Sequence, residues 1–248
     1  GGVGKTTTAV NLAHGLVLAG KRALLVDLDP QGQCATILGL KPEPGAFNLL
    51  VADLPPNQVI RLTDRPDLCV ILGDRKTATA QILLGIERTP ISFVRDRLLP
   101  PAEADNFDFV VIDTSPSVCE LQEQALWAAD GVIIPCAVDY LASDGVYNIV
   151  ATLDRLRAEQ GWQGEILGLL PTFYDDVTRE SKATVQDLKE RFASFLLEPV
   201  HRATILRECA VEGKTIYELN NNSRAALQYS RLVQKTLEWS RTQLEEGA

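Results

Sequence analysis

Short, almost wholly apolar runs recur along the chain. ALLVD at 23–27, LCVIL at 68–72, FVVID at 109–113, VIIPCAV at 132–138 and ILGLL at 166–170 are each five or seven residues long. A strand wetted on one face would alternate apolar with polar, so continuous runs indicate parallel strands covered on both sides. Helix-period patterns fill the intervals, at 6–19, 77–84, 120–129, 146–160, 178–195 and 224–244. In the first, Ala9, Leu12, Ala13, Leu16 and Val17 share one face, and Gly20 stops it. The alternation predicts an α/β fold, a mostly parallel twisted sheet with helices on both faces in three layers. Pro-rich stretches at 41–45, 54–56 and 100–101 read as surface turns. Without an internal repeat or a low-complexity linker, residues 1–248 read as one domain.

Chemistry enters at Gly1-Gly2-Val3-Gly4-Lys5-Thr6-Thr7. Glycines let successive backbone N–H groups converge on phosphate oxygens, and the helix that follows presents its positive end to them. Lys5 then sets a cation against the β- and γ-phosphates, and the Thr6 hydroxyl is a Mg²⁺ ligand. The pattern is the second half of a P-loop. Such a loop springs from the end of a central strand, so a strand ahead of Gly1 is expected for the domain to be whole.

Two acidic strand ends follow. Asp27-Leu28-Asp29-Pro30-Gln31-Gly32 closes the run at 23–27, at the kind of strand C-terminus where α/β sheets bind ligands. Alternation puts Asp27 and Asp29 on one side, suited to a metal-bound water and an attacking water. The run at 109–113 ends in Asp113 and continues Thr114-Ser115-Pro116. This is a Walker B arrangement, in which Asp113 holds Mg²⁺ through water or the Thr6 hydroxyl.

Composition narrows the setting. The formal charge is −9, which as a whole repels nucleic acid. It is unevenly spread: residues 1–174 carry a net −8 and residues 175–248 only −1, so a polyanion-binding face belongs in the C-terminal third. Five single cysteines (Cys34, Cys69, Cys119, Cys136 and Cys209) lack zinc-site or disulfide-framework spacing and suit a reducing compartment. The most apolar stretch, 10–25, is broken by Asn11, His14, Lys21 and Arg22, too polar for a membrane span.

With these motifs in place, GGVGKTTTAVNLAHGL…KRALLVDLDPQGQCATILG resembles the ParA family of partitioning ATPases, in the MinD-like, deviant Walker A branch of P-loop proteins. The likeness continues through DFVVIDTSPS, ALWAADGVIIPCAVDYLASDGV and GLLPTFYDDVTRESKATVQDLKERF to VHRATILRECAVEGKTIYELNNNSRAALQY. It implies ATP and Mg²⁺ as cofactors, with phosphate contacts from Gly1, Gly2, Val3, Gly4, Lys5, Thr6 and Thr7. It implies catalytic roles for Lys5 and Asp29, the latter handling the attacking water, and Thr6, Asp27 and Asp113 around the metal. Adenine contacts map to 172–175, beginning at Thr172, and to the His201-Arg202 loop, with Arg202 foremost. Family members commonly read Pro-Arg-Asn there, where this chain has His201-Arg202-Ala203. The family's signature lysine would stand immediately before Gly1.

The resemblance further implies an ATP-sandwiched homodimer in the cytoplasm, associated with the nucleoid. A ParB-like partner would stimulate a slow ATPase, in chromosome or plasmid partitioning. Non-specific DNA would bind a basic face in the C-terminal third, for which Arg179, Lys182, Lys189, Arg191, Arg207 and Arg224 are candidates, with Arg202 and Lys214 nearby. The same switch could position another cargo, a protein microcompartment or a chemoreceptor array. A MinD-like membrane regulator would want a basic amphipathic tail, but residues 236–248 end Glu245-Glu246-Gly247-Ala248 with Arg241 the one cation. A nitrogenase iron-protein relative would need a glycine-flanked second cluster cysteine upstream of Cys119, which is absent. His14 and His201, like Trp127, Trp162 and Trp239, are expected to pack, because phosphoryl transfer needs positioning and charge neutralisation, not a histidine base.

Overall fold

The computed structural model of the chain describes residues 2–116, 119–138 and 142–246, the side chains of 142–144 and 246 excepted. The glycine loop leads into α1 (Lys5–Leu18), and Gly20 turns the chain into β1 (Ala23–Leu28). A run of short elements follows: α2 (Gln33–Leu38), α3 (Gly45–Leu50), α4 (Pro56–Val59) and β2 (Arg61–Leu62). Then come β3 (Leu68–Ile71), α5 (Arg75–Glu87), α6 (Phe93–Ala104), β4 (Phe109–Thr114), α7 (Glu120–Ala128) and β5 (Gly131–Ala137). The C-terminal part holds α8 (Ala142–Gln160), β6 (Glu165–Thr172), α9 (Arg179–Phe192), α10 (Ile205–Glu212), α11 (Ile216–Asn220) and α12 (Arg224–Glu246). All five predicted strands and six predicted helices are present.

β1 is central because its side chains are apolar on both faces. All six of its residues are buried. Leu24, Val26 and Leu28 join Leu84, Val94, Leu98 and Leu121 from α5, α6 and α7, whereas Ala23 and Leu25 face Ala9, Val10 and Ala13 of α1. Period-two alternation thus sends Asp27 to the α1 side. β1 pairs in parallel with β3 and with β4, and β2 adds a short antiparallel edge, giving the order β2-β3-β1-β4.

β5 and β6 form a separate parallel pair. The one continuous sheet expected is therefore in two pieces among the described residues. Between β4 and β5 lies a cleft of about 810 Å³, lined by Phe109, Val111, Ile133, Pro135 and Leu167 and reaching Lys5. It explains why Phe109–Ile112, as apolar as β1, stay half-buried: among the described residues β4 has a strand on one side only. The three tryptophans pack as expected. Trp162 is 2% exposed and donates to the Ala129 carbonyl at 2.8 Å, Trp127 donates to Gln160, and Trp239 lies so close to Gly131 that a Cβ there would come within 2.8 Å of its ring.

The reading of Pro100-Pro101 as a surface turn is corrected: both lie inside α6. A proline removes one amide and clashes with the preceding turn, but here the segment after it closes on its own bonds. The Asp105 and Phe107 amides reach the Pro101 and Ala102 carbonyls, and Pro101 and Ala102 are buried.

One clamp joins distant short elements. Arg65, 8% exposed, donates to the Leu38 and Gly213 carbonyls and makes a two-pronged contact with Glu218 Oε2 at 3.0 and 2.8 Å. It thus ties the ends of α2 and α10 to α11. At this junction Gly39 and Gly213, both left-handed, approach so closely that a Cβ on Gly213 would lie 2.6 Å from the Gly39 Cα. Gly213→Ala is expected to cost about 2–4 kcal/mol through overlap and left-handed strain. A lowered urea midpoint at unchanged slope would register it; a wild-type midpoint would show that the contact does not hold α2 to α10.

Candidate functional site

The glycine loop sits at the C-terminal ends of the strands. Gly2 and Gly4 have φ of 83° and 85°, a left-handed backbone that a side chain would resist. Gly4 is the N-cap of α1 and offers the first amides of that helix no side-chain cap. Thr172, at the end of β6, fastens the loop: its hydroxyl bonds the Val3 carbonyl at 2.9 Å and the Cys136 carbonyl at 3.1 Å. Gly1 lies outside the described residues.

Beneath the loop, two carboxylates are neighbours. β1 and β4 run in register with Asp27 opposite Asp113, both on the α1 side. Asp27 is 0% and Asp113 2% exposed. Asp27 accepts from the Asp29 amide at 3.0 Å and the Cys34 amide at 3.2 Å. The Thr6 side chain hydrogen-bonds Asp113, and Lys5 acts on it as a cation. Burial, and next the charge of Asp113, push Asp27 up to about 7. Burial also lifts Asp113 to about 6, with Thr6 and Lys5 opposing. In both groups burial outweighs the interactions that favour the charged form. Two carboxylates and a hydroxyl are hard oxygen donors, so the residues present fit a Mg²⁺ ion.

Asp29 is placed differently from Asp27. β1 ends at Leu28, and Asp29 sits half-buried in the turn, its carboxylate capping the Gln31 amide at 2.9 Å. The turn is possible because of two glycines. A Cβ on Gly73 would come within 2.7 Å of the Asp27 and Asp29 carbonyls, and one on Gly32 within 2.5 Å of the Gly73 carbonyl. Gly73 was not legible as part of the site. Its only signal was a glycine immediately after a predicted strand.

A second hollow, of about 220 Å³, opens beside Gly4 and Thr7 and is walled by Thr172, Phe173, Arg202, Leu206 and Tyr229. Thr172 and Arg202 therefore line the same hollow, although the Thr172 hydroxyl is committed to the loop and Arg202 is exposed. Phe173, inside the expected stretch 172–175, has φ of 57°, whereas buried Tyr229, 3.4 Å from the Thr8 hydroxyl, was missed. His201 is part of this wall and is held there by its neighbours. Its Nδ1 lies 2.7 Å from Gln228 and its Nε2 3.3 Å from Asp176, and its ring meets Tyr174 edge-on. His14 is buried against Thr215 at 2.6 Å, and burial lowers its pKa. Both histidines pack, as expected.

The basic candidates divide. On α9, Arg179, Lys182 and Lys189 are exposed at helical spacings that align them in one stripe. Arg191 lies off that stripe, paired with Asp187 at 2.7 Å, and Arg224 is paired with Asp176 at 2.9 Å. Arg207 is exposed on α10. No helix among the described residues is long and apolar enough to cross a membrane.

Comparison with known proteins gives concordant results. Residues 1–164 match the family model described as an AAA domain. The chain is 36% identical to the chromosome-partitioning ATPase Soj of Thermus thermophilus, over 96% of this chain and 92% of that protein. Among solved structures, apo McdA of Cyanothece superposes with a TM-score of 0.85 at 22% identity, covering 96% of this chain and 95% of the other. Cobyrinic acid a,c-diamide synthase of Mycobacterium smegmatis, with a bound ATP analog and magnesium, superposes with a TM-score of 0.80 at 28% identity, over 96% and 90%.

The carboxylate pair sets a pH dependence. Both groups titrate higher folded than unfolded, so the folded state holds extra protons between about pH 4 and 7 and loses that stabilisation as pH rises through this window. Without metal or nucleotide, melting temperature is expected to fall from pH 5 to 8, and Asp27→Asn to flatten the fall. Parallel melting curves for the two proteins would contradict the assignment.

Proposed function

The chain belongs to the ParA/Soj family of chromosome-partitioning ATPases, and on that premise we propose that it is an ATP-hydrolysing switch in the cytoplasm, dimeric with ATP, that holds non-specific nucleoid DNA and drives chromosome or plasmid partitioning. The observation that carries this reading is the stacking of two features: a glycine loop on the N-terminus of α1, and Asp27 and Asp113 paired in register below it. The amides of residues 1–7 and the Lys5 ammonium would hold the β- and γ-phosphates. Thr6 would hold Mg²⁺, with Asp27 and Asp113 in its outer shell, and the ion supplies charge neutralisation to the phosphates. Asp29, on a turn fixed by Gly32 and Gly73, would orient the attacking water. The hollow walled by Phe173, Arg202 and Tyr229 would take the adenine, its apolar faces suiting a flat base. A single domain over residues 1–248 belongs to the same proposal.

DNA would lie along the α9 stripe of Arg179, Lys182 and Lys189, with Arg207 as a further contact. Arg191 and Arg224 would contribute less, since each already has an acidic partner. A chain of net charge −9 can hold DNA only through such a local patch, and binding should weaken steeply with salt. Release would follow hydrolysis stimulated by a ParB-like partner.

Three measurements check this. Lys5→Ala is expected to lose ATP binding by calorimetry with Mg²⁺. Asp29→Ala is expected to bind ATP and dimerise while turnover falls by roughly 100-fold or more; parental turnover would sink the role given to Asp29. Duplex DNA should be retained with ATP and released with ADP, and a Lys182→Ala, Lys189→Ala double variant should bind at least about tenfold more weakly. Equal, negligible binding in both nucleotide states would remove the DNA half of the reading.

A further inference from the structure

Beneath the phosphate loop a third ligand-type atom converges on the carboxylate pair. The Cys34 thiol, 0% exposed at the start of α2, lies 3.7 Å from Asp113 Oδ2. One oxygen from each of Asp27 and Asp113 and the Cys34 Sγ all fall within 4.8 Å of one another. We propose that Asp27, Cys34 and Asp113 form a site for a thiophilic divalent cation of the Zn²⁺ type, occupied without nucleotide and separate in preference from the Mg²⁺ that accompanies ATP.

Three observations carry it. The first is spacing. A tetrahedral ion with a metal–sulfur bond near 2.3 Å and a metal–oxygen bond near 2.1 Å separates sulfur from oxygen by about 3.6 Å, close to the 3.7 Å seen here. The second is charge. Asp27 and Asp113 are two carboxylates, 0% and 2% exposed, standing opposite each other on adjacent strands. Such a pair is stabilised by a divalent ion more than by any arrangement of neutral donors. The third is chemistry. A thiolate beside two carboxylates turns an oxygen site that suits Mg²⁺ into a mixed site, which Zn²⁺ and Cd²⁺ prefer strongly.

Binding would release the Cys34 proton to solvent, forming the sulfur–metal bond in its place. A hard ion such as Mg²⁺ gains little from a sulfur donor and would leave the thiol protonated. The Thr6 hydroxyl, already bonded to Asp113, is available as a fourth donor. The other thiols are elsewhere: Cys209 belongs to the core between α10 and α12, and Cys69 to the opposite face of the sheet.

The test uses the whole chain without nucleotide, titrated with Cd²⁺ alone. The wild type is expected to show an ultraviolet thiolate-to-cadmium charge-transfer band saturating at one ion per chain, and a higher melting temperature. Mg²⁺ at the same concentration should produce neither. Cys34→Ser should abolish the band and weaken Cd²⁺ binding roughly 100-fold or more, while Cys209→Ser should leave both intact. Circular dichroism would establish that the Cys34→Ser protein is folded. If it is not, Asp27→Asn serves instead, and should weaken Cd²⁺ while retaining the fold. A band that survives Cys34→Ser, or a wild type without one, would overturn the proposal. Since no nucleotide is present, either outcome is independent of whether the protein binds ATP.

Discussion

Two negative charges are forced together under the phosphate loop, and much of the architecture can be traced to that constraint. Asp27 and Asp113 are opposite each other because β1 and β4 are parallel and in register. They are on the α1 side because alternation along β1 commits Leu24, Val26 and Leu28 to the other core. Moving either strand by one residue would carry its carboxylate into the apolar cluster formed with α5, α6 and α7. Core and site therefore fix the same register. The carboxylates stay soluble in the interior because amides from the following turn bond Asp27 and the Thr6 hydroxyl bonds Asp113.

The turn after β1 is the other half of the arrangement. It reverses direction within a few residues, and Gly32 and Gly73 are what let two backbones pass at that distance. A carboxylate on such a turn is held by its backbone. Asp29 is therefore half-exposed yet positioned, the combination that a group handling water requires. The base hollow is built on another principle. It is walled by side chains from the end of β6, the loop before α10 and the buried face of α12, so its shape depends on packing across most of the chain.

What could be read in advance follows the range of the signal. The apolar runs gave every predicted strand because a parallel strand covered on both faces leaves a local imprint. The P-loop, Asp27, Asp29 and Asp113 were legible for the same reason: each lies on or beside such a run. The short helices α2, α3, α10 and α11 were not, since five to eight residues are too few to show helical periodicity. Pro100-Pro101 misled because proline usually ends a helix, and tertiary burial of Pro101 and Ala102 prevailed here. Least legible were relations across long separations. Nothing in the sequence places Cys34 against Asp113, Tyr229 against Thr8, or Arg65 against Gly213, because register and packing decide them.

The Arg65 clamp has a mechanical corollary. α2 begins just beyond the turn that holds Asp29, and α10 begins just beyond the Arg202 rim of the base hollow. A single buried guanidinium gathers the far ends of both helices onto α11, and Thr215 and Ile216 of that junction are bonded to His14 and Asn11 on α1. The α2 and α10 levers thus share one fulcrum. A shift of the Arg202 rim would be felt as torque at the turn that holds Asp29, without either region touching the other.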